Sequence, residues 1–509
     1  LLPHKAAPIG FSHEQYPSFA SVVYDHAQYQ WQDQAWLERR SRQDALTAPM
    51  SIYEVHLGSW RKNQNEGRVL NYYELAEQLI PYVVSMNYTH IEVLPVSEHP
   101  FTGSWGYQPT GLFAPTSRFG DPDGFKHFVD RCHQANLAVI VDWVPAHFPN
   151  DPHGLAQFDG THLYDYADPK LGWHPDWQSC IYDFGKDSVR QFLLASALYW
   201  CDKFHVDGIR VDAVASMLYL DYSRQPGEWI CNIDGGNHNY EAISLLQWFN
   251  REVAEHCPGV VRIAEESTSF EGVSKPVADG GLGFNFKWNM GWMNDTLSYV
   301  AKDPLYRKYH HGDLTFAMAY HYNEHFVLPI SHDEVVHGKG SMINKMPGDD
   351  WQKHASYRAF AGFMYAHPGK KLNFMGTELA QRQEWNHNTE LAWQNLDSNA
   401  PRGIQQLIKE LNLVYQNTPA LFERDYHYEG FEWLDKDDAE HSIVAFKRQD
   451  VQGNSISVVA NFTPVPRTGY RVGVDAEFAK LLFNTDAVDY GGTGQPVIAA
   501  SQNNRQEMK

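Results

Sequence analysis

Eight short apolar runs along the middle of the chain constrain its fold more than any other feature. They are Ser51–Val55, Ile91–Pro95, Leu137–Asp142, Val206–Asp212, Val260–Glu265, Leu282–Trp288, Phe326–Ser331 and Lys371–Met375. Between them lie stretches with helical patterning, among them Tyr72–Met86, Asp123–Ala135 and Val189–Phe204. Strand alternating with helix is the pattern of parallel βα units. Eight units of about 40 residues predict a closed (β/α)8 TIM barrel. An open doubly wound sheet is the alternative, but no Gly-rich phosphate loop follows the first run.

After the eighth run, Ile404, Leu407, Ile408, Leu411, Val414 and Tyr415 recur at helical spacing. Pro401 and Gly403 mark the start of this helix and Pro419 its end, so it reads as the last helix of the barrel. Ser442–Phe446 and Ile456–Phe462 are then strand-like, separated by the turn Val451–Asn454. The expected organisation has three parts. Residues 1–48 hold no periodic element and read as a linker or the remnant of an N-terminal β-sandwich module. Residues 49–420 form the barrel. Residues 421–509 form a C-terminal antiparallel β-sandwich domain with a frayed polar end at Ser501–Lys509.

Charge narrows the partner. The chain carries 62 Asp and Glu against 41 Lys and Arg, a net charge of -21. Such a surface repels phosphate backbones and anionic lipid. No run approaches the roughly 18–20 apolar residues of a membrane helix. Neither nucleic acid nor a membrane is expected as a partner. The five cysteines, Cys132, Cys180, Cys201, Cys231 and Cys257, are odd in number and form no CxxC pair. They read as reduced thiols of a cytoplasmic protein. A monomer without metal or cofactor is expected.

In a barrel, functional groups sit where strands end on the C-terminal face. Asp207-Gly208-Ile209-Arg210-Val211-Asp212 puts Arg210 and Asp212 on one side of a strand, because alternate residues share a face. An Arg beside a carboxylate favours its ionised, nucleophilic form. The next run ends in Glu265-Glu266, of which only one can point inward. A carboxyl near another carboxylate in a partly apolar site has its pKa raised and can serve as a general acid. Asp333 and Asp142 supply further carboxylates, with His147 and His332 beside them. No HExxH or EF-hand spacing supports a metal site. Paired carboxylates suit glycosidic bond chemistry. Trp105 and Tyr107, in Phe101-Thr102-Gly103-Ser104-Trp105-Gly106-Tyr107-Gln108-Pro109, offer aromatic faces for sugar rings.

At these residues the chain resembles the α-amylase superfamily of retaining glycoside hydrolases and transglycosylases, and within it the glucan branching enzymes. The resemblance spans the chain almost end to end. It rests on Tyr53-Glu54-Val55-His56-Leu57-Gly58-Ser59-Trp60, Gly106-Tyr107-Gln108-Pro109-Thr110-Gly111, Ala264-Glu265-Glu266-Ser267-Thr268, His332-Asp333-Glu334-Val335-Val336-His337-Gly338-Lys339, Phe374-Met375-Gly376-Thr377-Glu378 and Glu384-Trp385-Asn386-His387. The resemblance implies Asp212 as nucleophile, Glu265 as general acid/base and Asp333 as the third carboxylate. It implies that Arg210 positions Asp212, that Asp142, His147 and His332 hydrogen-bond the sugar, and that Tyr107 stacks on it. It also implies an α-1,4-glucan substrate and a carbohydrate-binding module before the barrel, here reduced to a trailing piece around Phe19–Trp36. The last C-terminal strand is expected to be missing. A hydrolase of the same superfamily and a non-catalytic glucan-binding protein are the rival readings.

Overall fold

A computed structural model describes residues 3–473, 480–496, 499–502 and 505–508. All eight apolar runs become parallel strands of one closed barrel. These are β1 (Ser51–Val55), β2 (His90–Val93), β3 (Ala138–Trp143), β4 (Gly208–Val211), β5 (Val261–Ala264), β6 (Phe286–Trp288), β7 (Phe326–Ile330) and β8 (Lys370–Phe374). Neighbours in sequence are neighbours in space, and β8 closes on β1 with Ser51 opposite Lys371.

The long helices in chain order are α1 (Gln34–Arg40), α2 (Tyr72–Ser85), α3 (Pro122–Gln134), α4 (Asp187–Lys203), α5 (Tyr240–His256), α6 (Met290–Ala301), α7 (Asp350–Ala366) and α8 (Asn399–Asn417). The start of α2 is fixed by a capping box: Glu74 N–H donates to Asn71 Oδ1 at 2.9 Å and Asn71 N–H donates to Glu74 Oε2 at 2.8 Å. The strict alternation fails once. Between β5 and β6 the chain makes only a short 3-10 turn, Val277–Asp279. No amphipathic segment is present there to form a long helix.

Strand alternation separates two apolar clusters. Ile52, Ile140, Ile263, Phe286, Val327 and Leu372 fill the barrel interior. Val55, Val93, Val141, Ile209 and Val211 face outward and pack with the helices. Gly208 faces inward, where a Cβ would lie 2.7 Å from Val261 Cγ2 and 2.9 Å from Ile140 Cγ1. The interior is therefore full at that level, and the next inward layer along the strands is charged: Glu54, Glu92, Asp142 and Arg210, all buried.

Residues 1–48 differ from their reading as a stretch without periodic elements. They contain α1, which packs under the barrel through ion pairs and aromatic rings rather than through an apolar stripe. Trp36 Nε1 and Arg40 Nη1 donate to Asp207 Oδ1 at 2.7 and 2.9 Å. His133 bridges Asp207 and Asp33 at 2.9 Å each. Burial opposes its charge, but the two carboxylates outweigh that and lift its pKa to about 9.

Beyond α8, β9 (Phe431–Asp435), β10 (Ile443–Gln449) and β11 (Ser455–Asn461) form an antiparallel sheet. Of the tail expected to be frayed, Ser501–Lys509, the described residues lie in β12 (Ala499–Gln502) and β13 (Arg505–Met508), which pair antiparallel, while residues 503, 504 and 509 lie outside the described residues. A buried ion cluster sits where the barrel meets this region. Asp425 receives Lys370 Nζ at 3.2 Å and Arg448 Nη2 at 2.7 Å, all three side chains being fully buried. Among the described residues, no helix is long and apolar enough to cross a membrane.

Candidate active site

The strand ladders continue one residue past β4 and β5, and this sets the site. Asp212 N–H donates to Trp143 O at 3.0 Å, and Glu265 N–H donates to Val211 O at 3.1 Å. Both carboxylates are thus carried by backbone registered to the barrel rather than by a free loop. The strands stop at Val211 and Ala264, one residue short of the ends read from the sequence, so the two acidic groups lie just beyond the strands.

Arg210 organises the cluster. The β3–β4 register sets it opposite Asp142. Its Nη1 donates to Asp142 Oδ2 at 2.7 Å and to Asp212 Oδ1 at 2.8 Å, while Nη2 lies 3.3 Å from Glu265 Oε2. One guanidinium therefore holds three carboxylates. Its face packs on Trp288, 4.5 Å from the ring centroid. Glu265 is aimed further by Ala213, whose N–H donates to Glu265 Oε2 at 2.7 Å. Ala213 adopts a left-handed conformation, φ 51°, a strained geometry for a residue with a Cβ. Glu266 turns away and pairs with Lys287 Nζ at 2.6 Å. Of the two adjacent acids, Glu265 is the one beside Asp212.

Electrostatics separates these groups. Burial pushes Asp212 up to about 7 against the pull of Arg210, with Asp142 adding repulsion. Burial likewise pushes Glu265 up to about 7, with Arg210 opposing and Asp212 adding to the rise. Arg210 pulls Asp212 toward its ionised form, but its one positive charge is divided among three buried carboxylates. Asp333 behaves in the opposite way. Burial would raise its pKa, but His332 and Arg210 outweigh it and hold the carboxyl low. His332 in turn is lifted to about 10, because Asp333 and Glu54 overcome its burial. Its Nδ1 faces Glu54 Oε1 at 2.6 Å and its N–H donates to Glu54 Oε2 at 2.9 Å.

Comparisons with known proteins decide the family. The family described as "Alpha amylase, C-terminal all-beta domain" matches residues 433–509. The 1,4-alpha-glucan branching enzyme GlgB of Pseudoalteromonas atlantica is 63% identical over 498 residues, covering 97% of this chain and 68% of that protein. The protein of the same name from Vibrio cholerae is 58% identical, covering 98% of this chain and 68% of that one. The chain belongs to the 1,4-alpha-glucan branching enzyme family. A solved pullulanase structure from Paenibacillus barengoltzii shares the fold at a TM-score of 0.69 and 14% identity, over 92% of this chain and 79% of that chain.

As a branching enzyme family member, the chain brings most of its sequence-read site residues together. Tyr107 OH donates to Asp142 Oδ2 at 2.7 Å, and its ring stacks on His332 with centroids 5.5 Å apart. The Trp105 ring lies 5.9 Å from that of His332, 5.5 Å from His337 and 4.7 Å from Trp385. The turn between Trp105 and Tyr107 needs Gly106: φ is 97°, and a Cβ would fall 2.1 Å from Pro95 O. His147 is buried against Trp177, ring centroids 4.8 Å apart, with an unpartnered Nδ1. No hydrogen bond joins it to the carboxylates. Glu54 is the residue that reasoning from the sequence left without a role. Its signal was available: it shares a strand face with Ile52, so it must point into the barrel.

Proposed function

We propose that this chain cleaves α-1,4-glucan and rejoins the released segment through an α-1,6 bond, by a retaining double displacement within residues 49–420. Asp212 is the nucleophile and Glu265 the acid/base. The observation that carries this reading is the single Arg210 guanidinium bonded to both carboxylates, which keeps them close and makes their proton affinities interdependent. Retention needs the two carboxyls about 5–5.5 Å apart.

In the first step protonated Glu265 gives its proton to the glycosidic oxygen. Asp212 attacks the anomeric carbon, the C–O bond breaks, and the shortened chain leaves with a free 4-hydroxyl. The retained segment is then esterified to Asp212. In the second step ionised Glu265 takes the proton of an acceptor 6-hydroxyl, whose oxygen attacks the same carbon and expels Asp212. Two inversions restore the α configuration. Asp333, held ionised beside charged His332, is positioned to bind sugar hydroxyls and to favour positive charge developing on the ring. Tyr107, Asp142, His147 and Trp105 line the sugar's place. The family membership, the free cysteines and the acidic surface support a cytoplasmic role in glycogen biosynthesis, acting as a monomer on a neutral polymer.

Amylose separates transfer from hydrolysis. Incubation is expected to bleach the iodine complex without a matching rise in reducing ends. A stoichiometric rise would make the chain a hydrolase instead. A second expectation follows from the coupled pair. Asp212 and Glu265, each near 7, share one proton in the reactive state, so kcat/KM is expected to be bell-shaped with its maximum close to pH 7. Below the maximum the pair gains a second proton and loses its nucleophile; above it the pair loses its acid. A flat profile from pH 5 to 9 would remove the shared proton from the mechanism.

A further inference from the structure

The reaction steps set out above give no part to the acid on β1. Glu54 is 1% exposed and reaches from β1, past β8, to the turn that follows β7. Its carboxylate meets His332 twice there. The His332 backbone N–H donates to Oε2 at 2.9 Å, and Nδ1 faces Oε1 at 2.6 Å. On the far side of the ring, Nε2 lies at ion-pair distance from Asp333 Oδ1, 3.5 Å. Tyr107 stacks on the imidazole, and the rings of Trp105, Phe374 and Trp385 stand around it with centroids 5.9, 6.1 and 6.4 Å away. Among the described residues, the polar partners of the two ring nitrogens are Glu54 and Asp333.

These contacts fix where the protons sit. Glu54 lies opposite Glu92 in the β1–β2 ladder, and Glu92 Oε2 is buried without a partner. Burial, and repulsion by Glu54, hold Glu92 in its neutral form, so the negative charge of the two is on Glu54. An ionised carboxylate only accepts, so Nδ1 carries a hydrogen and donates. A neutral ring would then turn the Nε2 lone pair toward the Asp333 carboxylate. A hydrogen on Nε2 as well replaces that repulsion by attraction. The turn does not need Glu54 for its shape. Its capping box is closed by Glu334, whose Oε2 accepts from Ser331 N–H at 3.0 Å and Ser331 Oγ at 2.7 Å. Further ionisable groups acting around the ring are Arg210 on β4, Asp142 on β3, Glu334 in its own turn and His56 after β1.

We propose that Glu54 is a positioning residue of the glucan reaction, which acts through His332: it fixes the imidazole as a two-sided donor, with Nδ1–H on its own carboxylate and Nε2–H toward Asp333. This role rests on the glucan chemistry read from the site above. Asp333 then meets the sugar as an oriented anion beside a fixed positive charge, ready for the charge that develops on the ring in the transition state. Glu54 itself never touches the substrate, since His332 and the strand backbone lie between them. The Tyr107 ring, stacked on His332, is held level by the same clamp.

The test compares the full chain with Glu54→Gln, His332→Gln and the double variant, scored by the rate of amylose cleavage. Gln keeps the shape of Glu54 but sets an NH2 against either the backbone N–H or Nδ1, so it cannot accept both bonds. For Glu54→Gln, kcat is expected to fall about 10²-fold while KM stays within about threefold, because the interaction serves the transition state. The double variant should be no slower than His332→Gln, whereas an independent structural role would multiply the two losses. Ring 15N NMR of histidine-labelled chain reads the imidazole directly, its resonances identified by their loss in His332→Gln. At about pH 8 the parent should show both nitrogens protonated and Glu54→Gln only one. A parent ring with a single protonated nitrogen, multiplied losses in the double variant, or a folded Glu54→Gln with kcat within about threefold of the parent would overturn the proposal. A parent that hydrolysed amylose would overturn the transfer reading alone, since cleavage and the NMR signature score Glu54 in either case.

Discussion

Asp212→Ala is expected to abolish branching, lowering kcat by about 10⁴-fold or more, on the scale seen when a covalent nucleophile is removed. The fold should survive, because the Asp212 side chain is 11% exposed and is held by Arg210 alone among its hydrogen-bond donors. Its charge is crowded by Asp142 and Glu265 around the same cation, so the thermal midpoint should not fall. Glu265→Gln is expected to lose about 10²–10⁴-fold, the usual weight of general acid–base catalysis. The double variant should be little worse than Asp212→Ala, since both groups serve one reaction path. Amylose turnover by Asp212→Ala within tenfold of the parent would end the assignment of the nucleophile.

The second large effect concerns stability. Asp425→Asn is expected to destabilise the chain by about 3–5 kcal/mol, the penalty for breaking a buried ion pair from one side. It would leave Lys370 and Arg448 fully buried with only carbonyl partners, among them Leu46 O and Ala48 O for Lys370 and Gly430 O and Ala366 O for Arg448. The denaturant midpoint measures this, and a shift below about 1 kcal/mol would deny Asp425 its role in joining the barrel to the C-terminal sheet. The pH dependence has a defined sign. Burial opposes ionisation of Asp425, but Lys370 and Arg448 outweigh it and depress its pKa. Its stabilising contribution is therefore present above the ordinary carboxylate range and is lost as acid titrates the folded-state group.

The barrel strands were readable because each buries both faces and so appears as an apolar run. Arg210 and Asp212 were readable for a related reason: a charged pair at alternate positions interrupts such a run on one face only. Glu54 lies in a similar run, but its partner His332 is far away in sequence, so no local pattern announces the contact. The helix α1 was hidden because Trp36, Arg40 and Asp33 dock through hydrogen bonds and ion pairs, which leave no hydrophobic period. The connection between β5 and β6 departs from the βα pattern, because the short interval between the runs Val260–Glu265 and Leu282–Trp288 leaves little room for a long helix. His147 was placed in the sugar pocket by resemblance; its nearest described ring is Trp177.

Because Arg210 touches both Asp212 and Glu265, the proposed cycle would leave the charge of the pocket constant. In the proposed cycle the anion is on Asp212 and the neutral acid on Glu265 before cleavage, and these states exchange once the ester forms. The arginine compensates one mobile negative charge throughout, so neither half-reaction has to import an ion from solvent. A turnover cycle built this way should have a rate that responds weakly to ionic strength.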